Sequence, residues 1–263
     1  MTYENNVMEI DPENVQLPGE NGYRHYEKYY FAFIDVLGFK KNFMENKKAM
    51  CKETPNPYDI VFEYYFKLMN KSLISKNGDA DSFYVGQTSD SLYFYTNNPQ
   101  YLLDYIKIFQ HFNNYAMSKD VFFRGGIAKG FLHTNEKYQF YGDSVIKAYL
   151  LESVVAVKPI VLIDEEIFSD LKNIYGDEIV EELIETHADR HYIKLFDVAF
   201  DIDLLFDERM ALENINMKDV EANILKNKKE FEFDPSNFNK YSFLQECYKI
   251  YNANKSSGGE KNV

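Results

Sequence analysis

The chain has 263 residues, 45% of them hydrophobic, and its 42 acidic against 29 basic side chains give a formal net charge of −13. This length suffices for one globular domain with additions or for two small domains. The acidic balance argues against a nucleic-acid polymer as the partner, because binding to a phosphate backbone depends on clustered lysine and arginine.

Three features of the sequence bear on where the protein works. No apolar run approaches the length of a membrane span, and residues 1–16 are polar and acidic without an apolar signal core. Two cysteines, Cys51 and Cys247, are too few for a disulfide framework and are predicted to be reduced thiols. We therefore expect a cytoplasmic protein with no membrane partner.

The first predicted strand ends in a carboxylate. Residues 1–22 combine proline and glycine with acidic and amide residues, which predicts a flexible leader. Residues 30–40 then read YFAFIDVLGFK, and alternation along a strand places Phe31, Phe33 and Asp35 on one face. A carboxylate in such a position is costly unless something pairs with it, for example a bound cation. The alternative is that Asp35 caps the next helix.

A second carboxylate precedes an apolar strand further along the chain. A hairpin is predicted around Asp90, where the polar stretch GQTSDS leads into LYFY. If that strand lies beside the first one, Asp35 and Asp90 converge at one edge of a sheet. Paired carboxylates, completed by substrate phosphates and water, are how proteins hold Mg²⁺ or Mn²⁺ for phosphoryl chemistry.

The rest of the chain alternates helices with strands. A strand over residues 121–131 carries three glycines, which suggests either the close approach of another backbone or a bend. Further strands are predicted over 138–141, 160–163 and, once or twice, within 192–206. Helices are predicted over 58–75, 101–117, 144–156, 165–175, 176–187, 217–230 and 239–252.

The order of these elements predicts an α+β protein with a ferredoxin-like βαββαβ core of the palm type and appended C-terminal helices. Besides the leader, we expect one domain over residues 23–206. Residues 207–263 are expected to form a helical extension packed on the same domain.

Four segments, in order over residues 28–165, together resemble the class III nucleotidyl cyclases. FIDVLGF at 33–39 resembles their first metal motif, and Ser89-Asp90-Ser91 resembles their second. RGGIAKG at 124–130 resembles their R-x-G-x-x-x-G strand. YGDSV at 141–145, with Ala148 and Glu152-Ser153, resembles the segment that follows that strand.

More narrowly, the chain resembles the pyrimidine cyclases of bacterial Pycsar anti-phage systems. The resemblance rests on IDVLGFK at 34–40, AYLLE at 148–152 and the Lys240-Tyr241 pair in the last predicted helix. It implies a lyase that uses Mn²⁺ (or Mg²⁺), two ions per site, to convert UTP or CTP to cyclic UMP or cyclic CMP. The product would serve antiviral defence by signalling to a downstream cyclic-nucleotide-gated effector.

The resemblance also implies which residues form the site. The metal ions would be held by Asp35, Asp90 and the carbonyl of Val36. Phe33 would pack against the base, although an ordinary core position is an equal alternative, and Arg124 would contribute to substrate binding. The phosphates would lie against the backbone N–H groups of a three-residue turn, Leu37, Gly38 and Phe39.

A homodimer with composite sites is implied as well. Each site would use Asp35 and Asp90 from one chain and Gln139 from the other. The glycines within residues 124–130 and the aromatic strand over 138–141 would suit a close two-fold interface.

The sequence departs from the class III pattern at the positions that recognise the base and at those that stabilise the transition state. Gly86 and Gln139 stand where adenylyl cyclases have their adenine-reading lysine and base-reading aspartate, which favours a smaller base. Ile146 and Leu150 stand where the transition-state asparagine and arginine are expected, and losing one such donor costs about 10²–10³ in rate.

Two explanations remain open for the missing donors. In the first, a cation is supplied by another residue: Arg124, Lys129, Lys147 or Lys194. Alternatively, the protein is a non-catalytic dimeric nucleotide-binding sensor with a cyclase fold. Another palm-fold enzyme, such as a diguanylate cyclase, is disfavoured because the second hairpin has no GGDEF-type turn.

Overall fold

The structure is a computed structural model that describes residues 27–40, 56–77, 83–134, 140–196 and 212–258. These residues have mixed α and β structure, with a sheet of eight strands and seven α-helices. The strands are β1 Glu27–Val36, β2 Phe83–Thr88, β3 Ser91–Thr96, β4 Phe123–Thr134, β5 Phe140–Tyr141, β6 Val161–Ile163, β7 Ile184–His187 and β8 Arg190–Ile193. The helices are α1 Pro57–Asn77, α2 Pro99–Ser118, α3 Asp143–Leu150, α4 Glu165–Tyr175, α5 Asp177–Leu183, α6 Met217–Glu230 and α7 Pro235–Gly258.

Strand β1 lies inside the sheet, whose order is β2-β3-β1-β4-β6-β8-β7, with β5 paired to β4. It runs antiparallel to both of its neighbours, β3 and β4. Side chains at Phe31, Ala32 and Ile34 are fully buried, which explains why this strand reads as an almost continuous apolar run. The strand predicted within residues 30–40 is confirmed.

One face of the sheet carries the main core. Ala32 and Ile34 pack there with apolar side chains of α1 and α2, such as Leu68 and Phe109. Helix α2 begins where Asn98 accepts a hydrogen bond from the backbone of Gln100, in a cap followed by a proline, and it is buried along most of its length. Its predicted bounds, and those of α1, are confirmed to within a turn.

The other face is aromatic and is covered by α3. Phe31 and Phe33 contact Tyr93 there, with ring centroids 6.2 and 5.6 Å apart respectively. A Cβ on Gly126 would lie only 2.5 Å from the Ala148 carbonyl oxygen. The predicted close approach at these glycines is therefore confirmed, but at Gly126 the approaching backbone is α3 of the same chain rather than a two-fold partner.

The segment after α3 differs from its prediction. The helix expected over 144–156 begins at Asp143, after the cap residue Gly142, and from Leu151 to Val155 it continues as a wider π-helical turn. The helix predicted over 176–187 is wrong in its second half. It ends at residue 183, because Ile184–His187 pair with β8 through a tight turn and extend the sheet edge.

The two C-terminal helices form a second core with the end of α2. Val220 and Ile224 of α6 and Leu244 of α7 are buried in it beside Phe122, which precedes β4. The Tyr248 hydroxyl of α7 also donates to the Met217 carbonyl at 2.9 Å. None of the helices in the described ranges combines the length and apolar character that a membrane crossing requires.

Candidate functional site

Asp35 lies at the C-terminal end of β1, between two neighbouring strands. Its Cα partners are Ser91 on β3 and Arg124 on β4. The Ser91 hydroxyl donates a hydrogen bond to Asp35 Oδ1 at 3.1 Å. The strand that contains Asp35 and the strand after Asp90 are therefore neighbours, which is the condition under which the sequence predicted that the two carboxylates converge.

Asp90 lies in the turn that joins β2 to β3, directly before Ser91. The turn depends on Ser89, which adopts a left-handed φ of 56° and whose carbonyl accepts a hydrogen bond from the Gln87 side chain at 2.7 Å. Burial and then the charge of Asp90 raise the pKa of Asp35 to about 6. The structure therefore brings the two predicted carboxylates into electrostatic contact.

A third carboxylate joins this pair. Glu152, in the π-helical turn after α3, is only 3% exposed and forms an ion pair with Arg124, with Nε and Oε1 2.5 Å apart. Burial raises the pKa of Glu152 against the opposing effect of Arg124. In the sequence, Glu152 was noted only within the segment that resembles class III cyclases and was not predicted as a site residue. The signal that could have identified it is a lone carboxylate directly after the apolar run AYLL.

The last helix supplies a second cation. Tyr241 on α7 packs its ring 5.1 Å from that of Phe122, and the preceding Lys240 donates from Nζ to Asn237 Oδ1 at 3.0 Å. Burial and the charge of Arg124 lower the pKa of Lys240. Lys240 was noted in the sequence as part of a motif, but not as a site residue.

These groups suit a cation and an anion together. Asp35, Asp90 and Glu152 carry more negative charge than Arg124 and Lys240 can balance. Across the described ranges, no three His, Cys, Asp or Glu side chains form a ready-made metal cluster. Oxygen donors from two carboxylates, completed by a backbone carbonyl and substrate phosphates, are nevertheless the set that Mg²⁺ and Mn²⁺ accept, so the residues fit such ions.

The turn after β1 is only partly available for phosphates. The Leu37 N–H already donates to the Phe122 carbonyl at 2.8 Å, so the prediction that it holds a phosphate is wrong. Gly38 has a φ of 73°, which favours glycine at this bend, and Phe39 packs its ring 5.0 Å from that of Tyr58. The predicted role of the N–H groups of Gly38 and Phe39 remains a prediction.

The region expected to read the base is aromatic. Phe33 is half-buried, and its ring centroid lies 5.7 Å from that of Tyr149 on α3. Gly86 on β2 is buried, and a Cβ there would meet the ring of Tyr84 at 2.7 Å. A tyrosine ring thus lies directly beside Gly86. Gln139 lies outside the described residues.

Among the proposed replacement cations, Arg124 is the one at the site. Lys129 points to the opposite face of β4, where it pairs with Asp170 at 2.5 Å, so it does not face the Asp35 site. Lys147 pairs with Asp143 at 3.2 Å at the start of its own helix. Lys194 follows β8, which is three strands from β1 and thus about 14 Å away across the sheet.

Comparison of the chain with protein-family models gave no match, and comparison with curated protein sequences also gave none.

Proposed function

We propose that this protein is a pyrimidine nucleotide cyclase that converts UTP or CTP to the 3′,5′-cyclic monophosphate and releases pyrophosphate. The observation that carries the proposal is the convergence of Asp35 and Asp90 at the ends of adjacent strands, where charge and burial keep the pKa of Asp35 high. The order β2-β3-β1-β4, with each neighbouring pair antiparallel, supports a ferredoxin-like cyclase core, because this is the connectivity of a split βαββαβ unit.

The divalent ions would be held by Asp35, Asp90 and the Val36 carbonyl. Ions bound there would lower the pKa of the ribose 3′-hydroxyl and neutralise charge on the departing pyrophosphate. In the reaction the 3′-oxygen loses its proton and bonds to the α-phosphorus, while the bond between that phosphorus and the bridging oxygen of the β-phosphate breaks.

The chain's own residues prepare the site for this substrate. The Ser91 hydroxyl orients the Asp35 carboxylate, and Glu152 orients the guanidinium of Arg124 through Nε. The remaining N–H groups of Arg124, together with the ammonium of Lys240, provide positive charge for a triphosphate. Because Glu152 offsets one of these cations, the site keeps a surplus of negative charge for metal ions.

A pyrimidine is favoured by the aromatic surroundings of Gly86 and Phe33. Gly86 has no side chain that could pair with a purine, and the ring of Tyr84 lies beside it. Phe33 and Tyr93 offer ring surfaces, which stack on a base without reading its edge. Selection against ATP would then depend on leaving the polar edge of the larger base unpaired.

A homodimer is supported by an exposed apolar surface on α3 and the turn that follows it. Ile146, Tyr149, Leu150 and Val154 are 61%, 52%, 47% and 67% exposed respectively. Contiguous apolar surface of this kind is typical of protein–protein contact. A two-fold partner that covers α3 would also approach the aromatic face of the sheet.

The proposal is tested by incubating the purified protein with Mn²⁺ and each of UTP, CTP, ATP and GTP, then identifying products by mass spectrometry. We expect cyclic UMP or cyclic CMP, with Asp90→Asn lowering turnover by about 100-fold or more. The matched control is Asp59→Asn, which alters a carboxylate bonded to Asn56 at the start of α1. Equal conversion of ATP, or full activity in Asp90→Asn, would contradict the proposal.

A second candidate function is a dimeric nucleotide-binding sensor without turnover. It is favoured by the apolar, exposed side chains of Ile146 and Leu150, where class III enzymes place their transition-state donors. Saturable binding of UTP or CTP with no cyclic product, under conditions where the dimer is intact, would establish this alternative.

A further inference from the structure

A second concave site lies between the β7–β8 hairpin, the segment that follows α3, and α7. It is a cavity of about 330 Å³ with apolar walls, including Ile160, Leu162, Tyr192 and Phe243. The titratable side chains at its lining, apart from the Tyr192 phenol, are all basic: Lys158, His187 and Arg190. None of the residues of the Asp35 site lines it.

Lys158 and Arg190 make contacts other than ion pairs at this cavity. Lys158 Nζ lies 4.0 Å from the centroid of the Phe243 ring, and Arg190 Nη1 donates to the Val155 carbonyl at 3.4 Å. His187 is the Cα partner of Arg190 across the hairpin. The ion pairs found in the described parts of the chain involve none of these three side chains.

Such a convergence runs against the composition of the protein. With a formal net charge of −13, acidic groups outnumber basic ones, yet two cations, Lys158 and Arg190, line one apolar cavity together with His187. An anion bound in the cavity would be attracted by both Lys158 and Arg190.

The hairpin that forms one side of the cavity is closed by a two-residue turn. Ala188 and Asp189 both adopt left-handed conformations there, with φ of 49° and 59°. Two consecutive left-handed residues are the conformation that a two-residue hairpin loop requires. The turn thus fixes the positions of His187 and Arg190 on either side of it, and Ala188 itself lines the cavity.

We propose that this cavity binds a small anion in which a planar ring is joined to a phosphate, at the size of a mononucleotide. Its volume lies at the lower end of the range of ligand pockets, about 300–1,000 Å³. Lys158 and Arg190 would take the phosphate, while Phe243 and Tyr192 would contact the ring. The site is separate from that of Asp35 and Asp90 and does not depend on cyclase activity.

Calorimetric titration of the full chain in EDTA tests this, because chelation removes the divalent ions that the Asp35 site needs. The probes are uridine 5′-monophosphate, uridine, which lacks the phosphate, and inorganic phosphate, which lacks the ring. We expect saturable binding of uridine 5′-monophosphate and binding of each fragment weaker by about tenfold or more.

Substitutions of cavity residues show whether uridine 5′-monophosphate binds in this cavity. Lys158→Gln and Arg190→Gln, both exposed positions, should each weaken it by about tenfold or more. Lys255→Gln is the matched control, since Lys255 also lies over a ring of α7, that of Tyr251, at 4.9 Å, but outside the cavity. Absence of saturable binding to the wild type would overturn the proposal. So would binding that both cavity variants retain, or that Lys255→Gln weakens equally.

Discussion

Replacing Asp35 with asparagine should stabilise the ion-free protein at neutral and alkaline pH. Burial and the charge of Asp90 raise the pKa of Asp35 from 3.8 to about 6, so the folded state disfavours the ionised carboxylate. At about 1.4 kcal/mol per pH unit, this difference corresponds to about 3 kcal/mol for a wholly buried group. Because Asp35 is half-exposed, solvent screening reduces the expected gain to about 1–2 kcal/mol.

The pH dependence has a definite sign. Below pH 3.8 the carboxyl is neutral in both the folded and unfolded states, and Asp35 carries no penalty. Between about pH 4 and 6 the folded state binds more protons than the unfolded state, so the stability of the wild type falls as the pH rises. Asparagine retains an oxygen that can accept from Ser91, but it does not titrate.

Urea unfolding in EDTA at pH 4 and at pH 8 measures the difference. We expect the free energy of unfolding of Asp35→Asn to exceed that of the wild type at pH 8, and the gap to narrow at pH 4. Glu63→Gln, which changes an exposed carboxylate on α1, should show no such pH-dependent gap. A variant less stable than the wild type at pH 8, or a gap independent of pH, would refute the reasoning.

Three further predictions concern packing, charge and assembly. Gly126→Ala should lower the free energy of unfolding by about 1–3 kcal/mol, because the added Cβ would press on the backbone of α3. Gly86→Ala is the control, because the added Cβ there meets a side-chain ring that can move. Equal losses of stability in the two variants would contradict the prediction. Glu152→Gln should change the free energy of unfolding in urea by less than about 1 kcal/mol at pH 8, because burial of the ionised carboxylate offsets its attraction to Arg124, and a loss above about 2 kcal/mol would mean that the ion pair outweighs burial. Ile146→Glu should shift a dimer toward monomer in sedimentation equilibrium without lowering the thermal midpoint of the monomer, and an unaltered dimer would exclude α3 from the interface.

The sequence predicted the elements that follow simple periodicity. The apolar run of β1 and the helical spacing of α1 and α2 each have one dominant pattern, and the structure confirms all three. The helix predicted over 176–187 failed in its second half, because Ile184–His187 gain their stability from pairing with β8, a contact that local pattern does not contain.

The candidate site was predictable only in part for the same reason. Asp35 and Asp90 each stand beside an apolar strand, so their convergence followed once the strands were taken as neighbours. Glu152 and Lys240 come from the turn after α3 and from α7, and only the tertiary packing of those segments brings them to Arg124. The occupied N–H of Leu37 likewise depends on where Phe122 lies.

Titration of the protein with Mn²⁺ at pH 8, followed by electron paramagnetic resonance of the free ion, tests the central claim that Asp35 and Asp90 form a divalent-cation site. We predict saturable binding by the wild type that Asp35→Asn and Asp90→Asn each weaken by about 100-fold. Binding should also weaken as the pH falls through about 6, because protons then compete for Asp35. Binding that both variants retain at wild-type strength would contradict the account.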